Sequence, residues 1–207
     1  MKLFSYFRSS AAYRVRIALN LKQIEVETVS INLVSGDQNS DAYVAINSQG
    51  LVPSLELDDG RLISQSLAIC EWLEVNYPSP SLIPNDSYLA AQVRACALTI
   101  ACDIHPVNNL RVLKYLESEL GASNDQKNTW YQHWVEEGFN AIEQTISGGP
   151  YCFGSEPTLA DLCLVPQVFN AVRFKVDMTK YPKISAVNAH CLEQQSFISA
   201  SPENSRS

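Results

Sequence analysis

Arg8-Ser9-Ser10 sits between a short apolar run, Leu3 to Phe7, and a helical pattern that begins at Ser10. Hydroxyls at a helix start cap its unpaired amides. They also suit an anion or a thiolate, because the dipole end is positive and a hydroxyl donates a proton. Gln65-Ser66 is a second helix start of this kind; its exposed amides suit a carboxylate and serve equally as an ordinary N-terminus. Arg8, Arg111 and Arg173 carry forked donors that pair bidentately with carboxylates, although each taken alone reads as a surface residue. Anion binding is the chemistry open to such a set.

Composition narrows the field. The chain has 207 residues, 46% of them hydrophobic, enough for one large domain or two small ones. A formal charge of −7 with no basic run argues against nucleic-acid binding. No apolar stretch approaches the ~18 residues of a membrane span, and the N-terminus has no signal-like apolar region. Cys70, Cys96, Cys102, Cys152, Cys163 and Cys191 are dispersed and several lie in apolar helical patterns. They read as reduced, mostly buried thiols in a cytoplasmic protein. His105, His133 and His190 form no ligand spacing with them, so no metal is expected.

The elements that must position these residues follow from periodicity. Leu3 to Phe7 reads as a strand, Ser10 to Gln23 as an amphipathic helix, and Val26 to Ile31 alternates as a second strand. Strand, helix, strand implies parallel pairing. A polar loop and a short helix near Asp41 to Ala45 come next. Val52 to Leu57 and Leu62-Ile63 flank Asp58-Asp59-Gly60 as a hairpin, and Gln65 to Tyr77 is helical. This βαβαββα order is that of a thioredoxin-like domain. Pro78, Pro80 and Pro84 then mark a linker. Beyond it the pattern is helical: Tyr88 to about Glu119, bent near Pro106, then Asn128 to Ile146 and Thr158 to Ala171. Thr158 and Asp161 have the spacing of a capping box. The small, polar tail from Ser199 reads as frayed. The predicted architecture is α/β plus all-α, with a thioredoxin-like domain at 1–80 and an all-helical domain at 81–207.

Ser9-Ser10-Ala11-Ala12-Tyr13-Arg14-Val15-Arg16-Ile17-Ala18-Leu19 closely resembles the signature of zeta-class glutathione transferases, the maleylacetoacetate isomerase family. Four further segments carry the same likeness along the chain: Asn47 to Leu55, Ile63 to Ile69, Thr158 to Gln167 and Arg173 to Asp177. The run Asp103 to Arg111 is most similar to the maleylpyruvate isomerase branch. The resemblance implies the glutathione transferase fold, glutathione as cofactor, a small dicarboxylate substrate and a homodimer. It assigns Ser9, Ser10, Ala11, Gln38, Gln49, Val52, Pro53, Gln65, Ser66, Asp103, His105 and Asn109 to glutathione, with Asp103 reaching that of a partner subunit. It makes Val52-Pro53 a cis bond, where the local sequence alone leaves an ordinary turn proline open. Arg8, Arg111 and Arg173 become substrate clamps, and Ser9, Ser10 and Arg8 the catalytic set.

One position departs from the signature: Ala11 stands where the family usually has cysteine. Cis–trans isomerisation by thiolate addition, rotation and elimination needs glutathione's own sulfur, so that cysteine reads as dispensable. The resemblance puts maleylacetoacetate first as substrate, in tyrosine and phenylalanine breakdown, with maleylpyruvate as the alternative. A general glutathione transferase and a non-catalytic scaffold are the remaining alternatives, Ala11 being the one feature that favours the scaffold.

Overall fold

A computed structural model describes residues 1–205. The chain divides into two compact units, one of Met1–Leu82 together with the segment from Leu192, the other of Ile83–Cys191.

The first unit is a thioredoxin-like domain. Strands β1 (Lys2–Ser5), β2 (Glu27–Ser30), β3 (Ser54–Glu56) and β4 (Leu62–Ser64) form one sheet in the order β2-β1-β3-β4. β1 runs parallel to β2, with Leu3 opposite Thr28, and antiparallel to β3, with Leu3 opposite Leu55. The β1–β2 crossover is α1 (Ser10–Leu21), while α2 (Asp41–Ile46) and α3 (Ser66–Asn76) flank the β3–β4 hairpin in sequence. The sequence suggests an amphipathic α1. Instead every residue from Ala12 to Leu19 is buried, Arg14 and Arg16 included. The reason is that α1 packs against both α3 and a last helix, α9 (Gln195–Ala200).

That last helix changes the expected boundary. The segment from Leu192 belongs with the first unit, not with the helical domain read as 81–207. Its backbone supplies acceptors that α1 lacks. Tyr13 Oη donates to the Phe197 carbonyl at 3.2 Å, Arg16 Nε to Ala200 at 2.9 Å and Asn20 Nδ2 to Ser196 at 2.9 Å. The tail from Ser199 is therefore ordered through Ser205, and Asn204 Nδ2 closes it onto the Ile198 carbonyl at 2.9 Å. Arg206 and Ser207 lie outside the described residues.

In the second unit, Tyr88 to Glu119 is not one bent helix. It comprises α4 (Ser87–Leu98), a π-helical turn (Thr99–Ile104) and α5 (Leu110–Ser118). The rest is α6 (Asn124–Thr145), α7 (Leu159–Arg173) and α8 (Pro182–Cys191). The Thr158–Asp161 capping box is present: Asp161 accepts both the amide and the hydroxyl of Thr158 at 2.8 Å. Asp161 also accepts the Cys152 amide at 2.8 Å, which ties the preceding loop to the start of α7. A Cβ on Gly138 of α6 would lie 2.2 Å from Ile104 Cδ1, so glycine is what lets α6 approach the π-helical turn. The six cysteines are free thiols, five buried and Cys102 exposed, in keeping with thiols that are mostly buried.

Candidate active site

In the first unit the strand–helix junction forms because Ser9 caps α1. Its Oγ accepts the Ala12 amide at 3.2 Å, and its own proton remains available for donation. Ser10 opens the helix and is buried; Ala11 is half-buried behind it. Arg8 is exposed, its guanidinium 5.1 Å above the Phe7 ring.

The loop before β3 is held from within. Tyr43 Oη and Asn47 Nδ2 both donate to the Leu51 carbonyl at 2.7 Å, immediately before Val52. Val52 and Pro53 are buried and joined by a cis peptide bond. Gly50, at φ +59°, meets the Gln38 carbonyl, which would lie 3.1 Å from a Cβ there. The Gln38 backbone is thus brought against this loop, and its Oε1 is buried without a partner.

Gln65 has φ 71° and ψ 120°, a left-handed conformation costly for a side chain with a Cβ, directly before α3. Its Nε2 donates to Gln49 Oε1 at 2.8 Å, so two of the residues assigned to glutathione are in direct contact. No side chain caps α3, in contrast to α1, α2, α4, α5 and α6. Its first amides therefore remain available to a carboxylate. Ser66 is buried and its Oγ accepts from Arg14 at 3.2 Å.

In the second unit Asp103 and Arg111 are exposed, and His105 is half-buried at the end of the π-helical turn, its amide on the Ile100 carbonyl. Asn109 is the N-cap of α5: its Oδ1 accepts the Arg111 amide at 3.1 Å, which commits that oxygen to the helix. Arg173 is exposed in the last turn of α7, 4.9 Å above the Phe174 ring. Phe174 stacks on Tyr131 with centroids 3.6 Å apart and planes at 5°. Burial pushes the Tyr131 hydroxyl up to about 12, against the opposing influence of Arg173 and Gln167, so it stays protonated through the neutral range. No group of three or more His, Cys, Asp or Glu suited to a metal exists among the described residues.

Residues 3–81 match the family model described as Glutathione S-transferase, N-terminal domain, and residues 128–187 the one described as Glutathione S-transferase, C-terminal domain. The chain is 45% identical, with a TM-score of 0.95, to the holo structure of a maleylpyruvate isomerase described as a bacterial zeta-class glutathione transferase; the match covers 99% of this chain and 98% of that one. The chain belongs to the zeta-class glutathione transferases.

Two further relatives bear on the chemistry. A probable maleylacetoacetate isomerase of Vibrio cholerae is 46% identical over 98% of this chain and 95% of its own. The maleylacetoacetate isomerase of Anaeromyxobacter dehalogenans, 36% identical with a TM-score of 0.88 over 98% of this chain and 91% of that one, was solved with dicarboxyethyl glutathione and citrate in its active site. Within the zeta-class frame, sequence reasoning passed over Tyr43 as a support of the Leu51–Val52 backbone and Arg14 as the partner of Ser66. Tyr43 had no readable signal. Arg14 had one: an arginine inside an apolar helical run, four residues from the helix start.

Proposed function

We propose that the protein is a glutathione-dependent cis–trans isomerase that converts maleylacetoacetate to fumarylacetoacetate in tyrosine and phenylalanine breakdown. The observation that carries this is the dicarboxyethyl glutathione held by the Anaeromyxobacter relative. A dicarboxyethyl group is what thiol addition across the double bond of a butenedioate creates, so this ligand has the form of the adduct that the proposed addition step makes.

The reaction balances without a further reagent. The glutathione thiolate forms a C–S bond at one alkene carbon, and the π pair moves into the conjugated carbonyl as an enolate. The former double bond is now single and rotates. The enolate pair then returns, the C–S bond breaks and the thiolate leaves, giving the trans product and free cofactor. The enzyme has to keep the sulfur ionised near neutral pH and stabilise the enolate. Ser9 is proposed as the donor to the thiolate, with Ser10 and the α1 dipole in support. Val52 is proposed to pair its backbone with the cysteinyl amide, and Gln65, Ser66 and the α3 amides to hold the γ-glutamyl carboxylate. Gln38, Gln49, His105 and Asn109 are proposed as further glutathione contacts and Asp103 as a contact to that of a partner subunit. Arg8, Arg111 and Arg173 are each proposed as a carboxylate contact. A homodimer in the cytoplasm is part of the same reading.

Maleylpyruvate is the second reading, favoured by Arg111, by the His105 to Asn109 run and by the 45% identity to a maleylpyruvate isomerase. A direct absorbance assay on both acids ranks them. Turnover of both is expected, with the higher kcat/KM on maleylacetoacetate; an equal or higher value on maleylpyruvate reverses the ranking.

A further inference from the structure

Two arginines stand two residues apart on α1, both inside the first unit, and their surroundings differ. Arg16 is satisfied: its guanidinium donates to Ala200, Ser5, Tyr6 and Phe7. Arg14 is 2% exposed and makes one hydrogen bond, to Ser66 Oγ at 3.2 Å. Its Nε and Nη2 are buried with no partner, and among the described residues no carboxylate pairs with it. An unpaired buried cation is among the least favourable groups a fold can carry. Here it lies behind the first residue of α3, at a positive dipole end that no side chain caps. Cation, hydroxyl and free amides converge on one spot, and no anion among the described residues pairs with the cation.

We propose that Arg14 is the positioning residue of the γ-glutamyl carboxylate subsite, a role that rests on the glutathione reading above. By donating to Ser66 Oγ it occupies an acceptor site on that oxygen and leaves the Ser66 proton to point at the ligand. Its charge, in a water-poor interior, makes the subsite select a carboxylate over a neutral group. Arg14 acts through Ser66 and the local field.

The test compares two peptides on the full-length protein by calorimetry: glutathione, and 4-aminobutyryl-cysteinyl-glycine, which differs only in lacking the γ-glutamyl carboxylate. Wild type is expected to bind glutathione about 10- to 100-fold more tightly, the size of a charge-assisted hydrogen bond or two. In Arg14→Met that ratio is expected to fall towards one, because glutathione weakens while the analogue holds its affinity. Arg14→Lys, which keeps the charge, should retain part of the ratio, and Ser66→Ala should lose most of it. A merely structural arginine would weaken both peptides together and leave the ratio intact, which overturns the proposal. Equal affinities in wild type overturn it without recourse to any variant, as does a Ser66→Ala protein with an undiminished ratio. If wild type binds neither peptide, the glutathione reading itself fails, and that result is distinct from the others.

Discussion

Ser9 Oγ accepts the Ala12 amide and keeps its own proton, so in the proposed reaction one hydroxyl would serve both the helix and a neighbouring thiolate. Ser9→Ala therefore has two expected effects of different size. Loss of the cap costs about 1 kcal/mol of stability, readable in urea unfolding. Loss of the donor raises the thiol pKa of bound glutathione, followed by ultraviolet thiolate absorbance against pH, and lowers kcat at neutral pH. An unchanged thiol pKa and rate would remove Ser9 from the mechanism. Arg173 offers a second test at this scale. Stacked 4.9 Å above Phe174, it presents a planar fork that lysine does not reproduce. Arg173→Lys should raise the KM for the diacid several-fold and leave the KM for glutathione close to wild type. Equal rises in both would mean that Arg173 does not contact the diacid.

At the scale of elements, Gly138 decides a sign. Gly→Ala inside a helix ordinarily stabilises by about 0.5–1 kcal/mol. Here the added methyl meets the buried Ile104 side chain at 2.2 Å, and overpacking of that kind costs about 1–3 kcal/mol. Gly138→Ala is thus expected to lower the melting temperature; a rise would mean that Ile104 yields freely. The same contact marks where sequence reading ran out. The apolar pattern from Tyr88 to Glu119 is continuous and reads as one helix, yet the chain passes through a π-helical turn where α6 packs. Nothing local encodes that turn. Asn109 does carry a legible signal, an N-cap type directly before Leu110, that marks the start of α5. The βαβαββα unit was readable because its strands alternate and its hairpin carries Asp-Gly. α8 and α9 were not read, their apolar positions being few and their partners distant in sequence.

Distance in sequence also explains what was hidden at the scale of the molecule. Small polar residues at a C-terminus read as frayed, but the carbonyls of Phe197 and Ala200 complete the hydrogen bonding of Tyr13 and Arg16, over 180 residues earlier. Phe197 is fully buried in that contact, so Phe197→Ala should cost about 3–5 kcal/mol in chemical unfolding; a loss below about 1 kcal/mol would contradict the assignment of α9 to the first unit's core. A second long-range tie contributes to pH dependence. The Lys22 side chain is fully buried and donates to Glu74 at 2.8 Å and to the carbonyls of Tyr77 and Pro80 at 2.6 and 2.8 Å. Burial pushes the Glu74 carboxyl up, but hydrogen bonds from Lys22, Ser81 and Leu82 outweigh burial and hold it below its ordinary value. A carboxyl depressed in the folded state binds fewer protons there than in the unfolded chain. Its stabilisation is full above the ordinary glutamate range and is lost as pH falls through the folded value. Glu74→Gln leaves the Lys22 charge buried without its counter-ion, at a cost of about 3 kcal/mol. It should also flatten the acid limb of stability against pH; an unaltered limb would show that other carboxylates govern it.

In the proposed reaction glutathione is a recycled nucleophile, and that is measured most directly by following maleylacetoacetate isomerisation with glutathione far below the substrate concentration. Many product molecules per glutathione, with the free thiol recovered at the end and no turnover when S-methylglutathione replaces it, is the predicted result. Isomerisation that proceeds without glutathione, or that stops after one product per thiol with the sulfur consumed, would contradict it.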